Sequence, residues 1–350
     1  MSIEIWQFPT SGTKDDFRRL LQGRGFSAGR NLFWPGPPGT LHFFWETPED
    51  FKSTSGVDAA VFPLDEEGRR VWKSPHSWAV RTRTSMWATS FDKGFHNATV
   101  REIRRAFGGK FFNDDVGWNR YIAIERHPST PASRGVYAVL SRTIEELKSL
   151  EYALPPDVVH QLYTPRGIVT DKTDDSGILA FTKQFDPSRV VLNALLPFLL
   201  ACIEYFFRES FIILLRYSDP GRQKLENLGR KVSFTEAIAI SRGGMTVEEI
   251  GADAYSFQSL DGVGRAFSDV LGIDVLRSLR NRRKVGTKKP ILRRFLSDLI
   301  KRRHGLVHRL TVDRQLDRAT FLRDLEGVRL LLKSAAAEIE RALGVPLGPG

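Results

Sequence analysis

Arg303 and His308 stand five positions apart in the run Arg303-His304-Gly305-Leu306-Val307-His308, with His304 beside the arginine. Two imidazoles and one fixed cation at this spacing can do acid–base chemistry on a phosphodiester without a metal. RNA carries its own nucleophile, the 2′-hydroxyl. Cutting it requires a base for that proton, an acid for the departing 5′-oxygen, and positive charge for the phosphorane oxygens. A histidine with the unperturbed pKa of about 6.5 serves as acid or base near neutral pH. An arginine keeps its proton and offers phosphate a planar fork of donors. On a regular helix Arg303 and His308 lie about 140° apart, at about 100° per residue. They converge only if the arginine stem wraps round or Gly305 loosens the turn. His304 and His308 are four apart and share a face. One helix offers one phosphate few groups; two copies about a twofold axis offer twice as many.

The segment lies in the most basic part of the chain. The 350 residues hold 52 Lys and Arg against 41 Asp and Glu, a net charge of +11. Residues 277–318 hold fifteen Lys or Arg and three Asp or Glu, a local +12 that accounts for the whole excess. Such a concentration favours a polyanion and does not bear on the fold. Arg294, Lys301, Arg302 and Arg309 are the nearest cations and the expected RNA contacts.

The Arg303/His308 spacing resembles the Arg-x4-6-His signature of HEPN domains, a family of small helical bundles that includes many RNA-cutting toxins and antiviral effectors. His304 fits the family's habit of a polar residue directly after the arginine. The resemblance covers residues 187–343. It implies a composite site with one Arg/His set from each of two paired domains, hence a homodimer. Arg303 would clamp the phosphate, His308 would act as acid or base, and His304 would orient or protonate. No cofactor and no metal are implied. The product would end in a 2′,3′-cyclic phosphate, and the role would be that of a toxin or antiphage abortive-infection effector, regulated by the N-terminal domain or a partner, with a phage-derived trigger as a further candidate partner. Two alternatives stand beside this: a non-catalytic HEPN-like nucleic-acid-binding or dimerisation module, and a nuclease with its site in the N-terminal half.

The elements that position these residues read as an α+β N-terminal domain followed by an all-α HEPN-like helical bundle. Residues 1–155 form the first domain, a recognition or sensor unit; residues 156–186 link; residues 187–345 form the bundle. In the first part, Leu41-His42-Phe43-Phe44-Trp45, Ala59-Ala60-Val61-Phe62, Ser77-Trp78-Ala79-Val80-Arg81-Thr82, Tyr121-Ile122-Ala123-Ile124 and Val136-Tyr137-Ala138-Val139-Leu140 read as strands. Residues 14–21, 98–107 and 143–150 read as helices, the second stopping at Gly108-Gly109. From Pro187 the apolar residues recur at helical spacing, giving helices at 188–217, 234–241, 246–250, 262–283, 290–308 and 318–343. Residues 218–262 read as a Gly-rich insert and are not assigned to the family's second helix. The apolar run from 190 to 217 is interrupted by Glu204, Arg208 and Glu209, so a buried bundle helix is expected and not a membrane span.

Weaker signals complete the reading. Glu204 and Arg208 are four apart and expected to pair along the helix, with a site role for Glu204 as the alternative. Trp118, Arg120 and Tyr121 offer stacking and charge to a nucleotide or strand. Asp114 and Asp115 suit a turn better than a metal site. Together with His96 they would carry a site in the N-terminal half. Pro37-Pro38-Gly39-Thr40 lacks the Gly-Lys-Ser/Thr ending of a phosphate loop and reads as a turn. The single cysteine, Cys202, excludes an intrachain disulfide and a cysteine zinc site, and points with the absence of a leader to a cytoplasmic setting.

Overall fold

A computed structural model describes residues 2–29, 34–124, 128–154, 187–227, 231–285, 287, 290–309, 312–313 and 315–349. The linker expected at 156–186 lies outside these residues. The chain divides into two compact units, Met1–Arg134 with Pro346–Gly350, and Gly135–Val345.

The first unit is an antiparallel sheet with helices. Its strands are β1 (Ser2–Phe8), β2 (Ser27–Gly29), β3 (Leu41–Trp45), β4 (Val57–Pro63), β5 (Trp78–Ser85), β6 (Lys110–Asn113) and β7 (Gly117–Trp118), in the order β2-β3-β4-β5-β1-β6-β7. Alternation along each strand sends successive side chains to opposite faces. One face carries Ile3, Ile5, Val57, Val61 and Val80 beneath helices α1 (Lys14–Gly23) and α3 (Ser90–Phe107). The other carries Phe8, Phe62 and Ala79, packed with Trp6, Trp34, Trp72 and Phe112. Trp72 arrives on the short helix α2 (Glu66–Trp72). Helix α3 begins well before the expected residue 98, because Thr89 accepts the Asp92 N–H at 3.0 Å and caps it there. It stops at Gly108, which has φ +68°.

Two strands read from the sequence are absent. Residues 121–124 form no strand; the side chain of Asn97 satisfies the Ile122 backbone on both sides, at 2.9 and 3.0 Å. The run 136–140 lies inside helix α4 (Pro131–Tyr152). Pro131 opens that helix and Thr130 accepts the Ser133 N–H, a start signal that outweighs the strand-like composition of five apolar residues.

The second unit is helical. Helix α5 (Pro187–Arg216) packs against α6 (Asp219–Asn227), α8 (Val247–Ala252), α10 (Leu292–Arg309) and α11 (Arg318–Leu343). Between them run α7 (Phe234–Ser241) and α9 (Leu260–Arg265). The last turns of α5 are wholly enclosed from Ser210 to Leu215, whereas its first half exposes Val190, Val191 and Phe198. The expected buried helix is therefore buried over only part of its length. By length and composition Arg189–Arg216 could cross a membrane. Helix α4 joins this unit through Arg329, 2.6 Å from Glu151, and Arg142, stacked on Tyr205. The helix expected at 262–283 ends early: α9 widens into a π turn over Ala266–Leu271 and closes at Gly272, φ +72°. The Ile273 N–H returns to the Phe267 carbonyl at 2.9 Å.

Candidate functional site

Helix α10 buries Leu292, Leu296 and Leu299. Arg303 continues that spacing by one more turn, so it falls at the margin of the buried face. Its side chain lines a cavity of about 30 Å³ shared with Glu204 of α5 and with Gln258. Glu204 accepts the Gln258 Nε2–H at 3.1 Å. The Nε of Arg303 is buried and has no hydrogen-bond partner among the described residues. A space this size holds one or two waters and no nucleotide.

His304 and His308 stand on the exposed side of the same helix, with ring centroids 4.5 Å apart and planes tilted by 41°. Neither lines the Arg303 cavity. Gly305 leaves α10 helical through Arg309, so the arginine and His308 diverge as regular helix geometry requires.

The neighbouring cations divide between two tasks. Lys301 and Arg309 are exposed, as is Arg294. Arg302 forms an ion pair with Asp324 of α11 and lies 3.9 Å from Asp313. Asp324 is 4% exposed. Its burial raises the carboxyl pKa, and the Arg302 guanidinium opposes that shift. The expected Glu204–Arg208 pair does not form. Arg208 instead binds Glu209 at 2.9 Å and Asp253 at 3.0 Å, which leaves Glu204 facing the cavity of Arg303.

No family model, curated protein or solved structure matches this chain.

The N-terminal residues singled out in the sequence do not assemble into one site. His96 is fully buried, and burial pushes its pKa down to about 3. Its Nε2 lies 2.7 Å from the Thr82 hydroxyl, out of reach of any substrate. Asp114 accepts the Glu4 N–H at 2.8 Å, and the Asn113 side chain caps the same hairpin turn by accepting the Asp115 N–H at 3.0 Å. Trp118 is 43% exposed and sits with Phe112, Trp72 and the Lys110 ammonium on one sheet face. Tyr121 packs instead on Phe111 beneath Arg101, and Arg120 is exposed. The three residues read together as a stacking platform thus point to different surroundings.

Sequence reading missed Gln258, Asp324 and Asp313. Each meets its partner across a long stretch of chain, so no local spacing announces it.

Proposed function

We propose that this chain is a metal-independent endoribonuclease of the HEPN type that acts as a homodimer. One observation carries the reading: Arg303, whose Nε is buried and has no hydrogen-bond partner among the described residues, is followed directly by His304, whose exposed ring lies 4.5 Å from that of His308. In the reaction, one imidazole takes the 2′-hydroxyl proton as that oxygen bonds to phosphorus. The bond to the 5′-oxygen breaks, and an imidazolium gives that oxygen its proton. The products are a 2′,3′-cyclic phosphate and a 5′-hydroxyl. Arg303 holds the non-bridging oxygens, where charge develops in the transition state. Glu204 and Gln258 line the same cavity as the arginine stem. The cavity beside Arg303 is too small for a nucleotide, so the phosphate approaches from the surface. Because Arg303 and His308 of one chain face different ways, the complete set needs the second chain. The first unit recognises substrate or trigger, and the biological role is that of a toxin or antiphage effector.

The test is RNA cleavage in EDTA by the wild-type chain and by Arg303→Ala and His308→Ala. Each substitution is expected to lower the rate by about a hundredfold or more, with both variants sedimenting as the wild type does. Cleavage that survives both substitutions overturns the reading. A wild-type chain that sediments as a monomer while cutting RNA overturns the composite site.

The divergence of Arg303 and His308 within one chain favours a second reading, a non-catalytic bundle that binds nucleic acid or dimerises. RNA binding by a pure wild-type protein that cuts no RNA would support it.

A further inference from the structure

A larger cleft opens on another side of α10. It has a volume of about 620 Å³, within the range of small-ligand sites. Arg294, Asp298 and Arg302 enter it at successive turns of α10, Arg323 and Asp324 from α11, and Arg282 from the segment before α10. Arg302 and Asp324 pair with each other. Arg282, Arg294 and Arg323 form no ion pair among the described residues, and only Asp298 remains to offset them. The lining thus holds four arginines against two carboxylates, and an anion bound there offsets the excess positive charge.

The remaining walls are apolar. Ile291 and Phe295 line the cleft beside Val285 and Pro290. Phe295 is held from behind, because its ring lies directly over Gly327 of α11. The segment carrying Arg282 is tied to the start of α10 by a backbone bridge between Arg282 and Ile291, and the Arg283 N–H donates to the Pro290 carbonyl at 3.0 Å. Two parts of the wall are thus held by the fold itself, Phe295 and the segment carrying Arg282.

We infer that this cleft binds a nucleoside phosphate, with the phosphates on Arg282, Arg294 and Arg323 and the base against Ile291 and Phe295. Asp298 stands on the same helical edge as Arg294 and accepts a ribose hydroxyl. Bare phosphate uses only the cations and an uncharged nucleoside only the apolar wall; the nucleotide uses both. A free nucleotide and one nucleotide of an RNA strand share this chemistry. Neither Arg303 nor the histidines line the cleft, although Arg294 and Arg302, two of the expected RNA contacts, do.

The experiment is calorimetric titration of the full chain with ATP, adenosine, inorganic tripolyphosphate and a 2′-O-methylated RNA octamer, which lacks the nucleophile and cannot be cut. Saturable binding of ATP, at least tenfold tighter than that of adenosine or tripolyphosphate, is expected if the ligand is a free nucleotide. Octamer binding without ATP binding places the site on a strand. In either case Arg294→Ala/Arg323→Ala weakens binding at least tenfold, with the far-UV spectrum unchanged. Lys148→Ala/Lys333→Ala, which removes two exposed charges elsewhere in the unit, leaves it intact. The inference fails if neither ATP nor the octamer binds at millimolar concentration, or if both double variants bind as the wild type does or weaken equally. Such a failure leaves the Arg303/His308 cleavage test untouched.

Discussion

Arg302 and Arg303 are adjacent in the chain, yet about 100° of helical rotation separates their tasks. Arg303 faces the small cavity with Glu204, while Arg302 neutralises Asp324. An RNA-contact role for Arg302 therefore competes with a structural one. Arg302→Ala leaves a carboxylate that is 4% exposed without its cation. Breaking a buried pair from one side costs about 3–5 kcal/mol. The expected outcome is a lower urea midpoint for the helical unit, read by far-UV circular dichroism, and any loss of activity follows the unfolding. An unchanged midpoint would show that Asp324 takes up a proton or finds other partners at little cost. Arg303→Ala, which removes a side chain with an unpartnered Nε, is expected to leave the midpoint nearly in place.

Helices α10 and α11 meet where the Phe295 ring lies against Gly327. A methyl group added at Gly327 would come within 2.5 Å of the Phe295 ring. Gly327→Ala must push that ring aside or part the helices, an overpacking cost of about 1–3 kcal/mol. Alanine is the better helix former, by about 1 kcal/mol, so an isolated helix would gain what the packed one loses. The measurement is the thermal midpoint of the variant; a rise would mean that Phe295 moves freely. The same pair of helices shows what periodicity can convey. The span of α11 was readable from its apolar stripe; the structure adds its cap, Asp317, whose carboxylate accepts the Thr320 N–H at 2.7 Å. The strand-like run at 136–140 misled because five apolar residues fit a strand or a helix equally, and only the cap at Thr130 separates the two.

The two units can be followed separately in the whole molecule. All seven tryptophans lie between Trp6 and Trp118, so their fluorescence reports the sheet unit alone. Buried His96 makes that unit sensitive to acid. Its folded pKa is depressed to about 3, while the unfolded imidazole titrates near 6.5. Between those values the unfolded chain binds the extra proton. Stability is therefore complete above about pH 6.5 and falls as the pH drops, by about 2 kcal/mol at pH 5. The tryptophan-detected urea midpoint should fall accordingly from pH 7 to pH 5, and the drop should vanish in His96→Gln. A midpoint that does not move would mean that His96 gains a proton acceptor on protonation.

The sequence by itself determined the local matters: where charge gathers, which stretches coil with one apolar side, and which residues stop them. These depend on neighbours within a few positions, and such neighbours leave a period or a cap in the chain. Only the tertiary structure decided that Glu204 meets the cavity of Arg303, that Arg302 answers Asp324, and that four arginines surround one cleft. Those partners come from different helices. Packing fixes their separation in space, and no spacing along the chain records it.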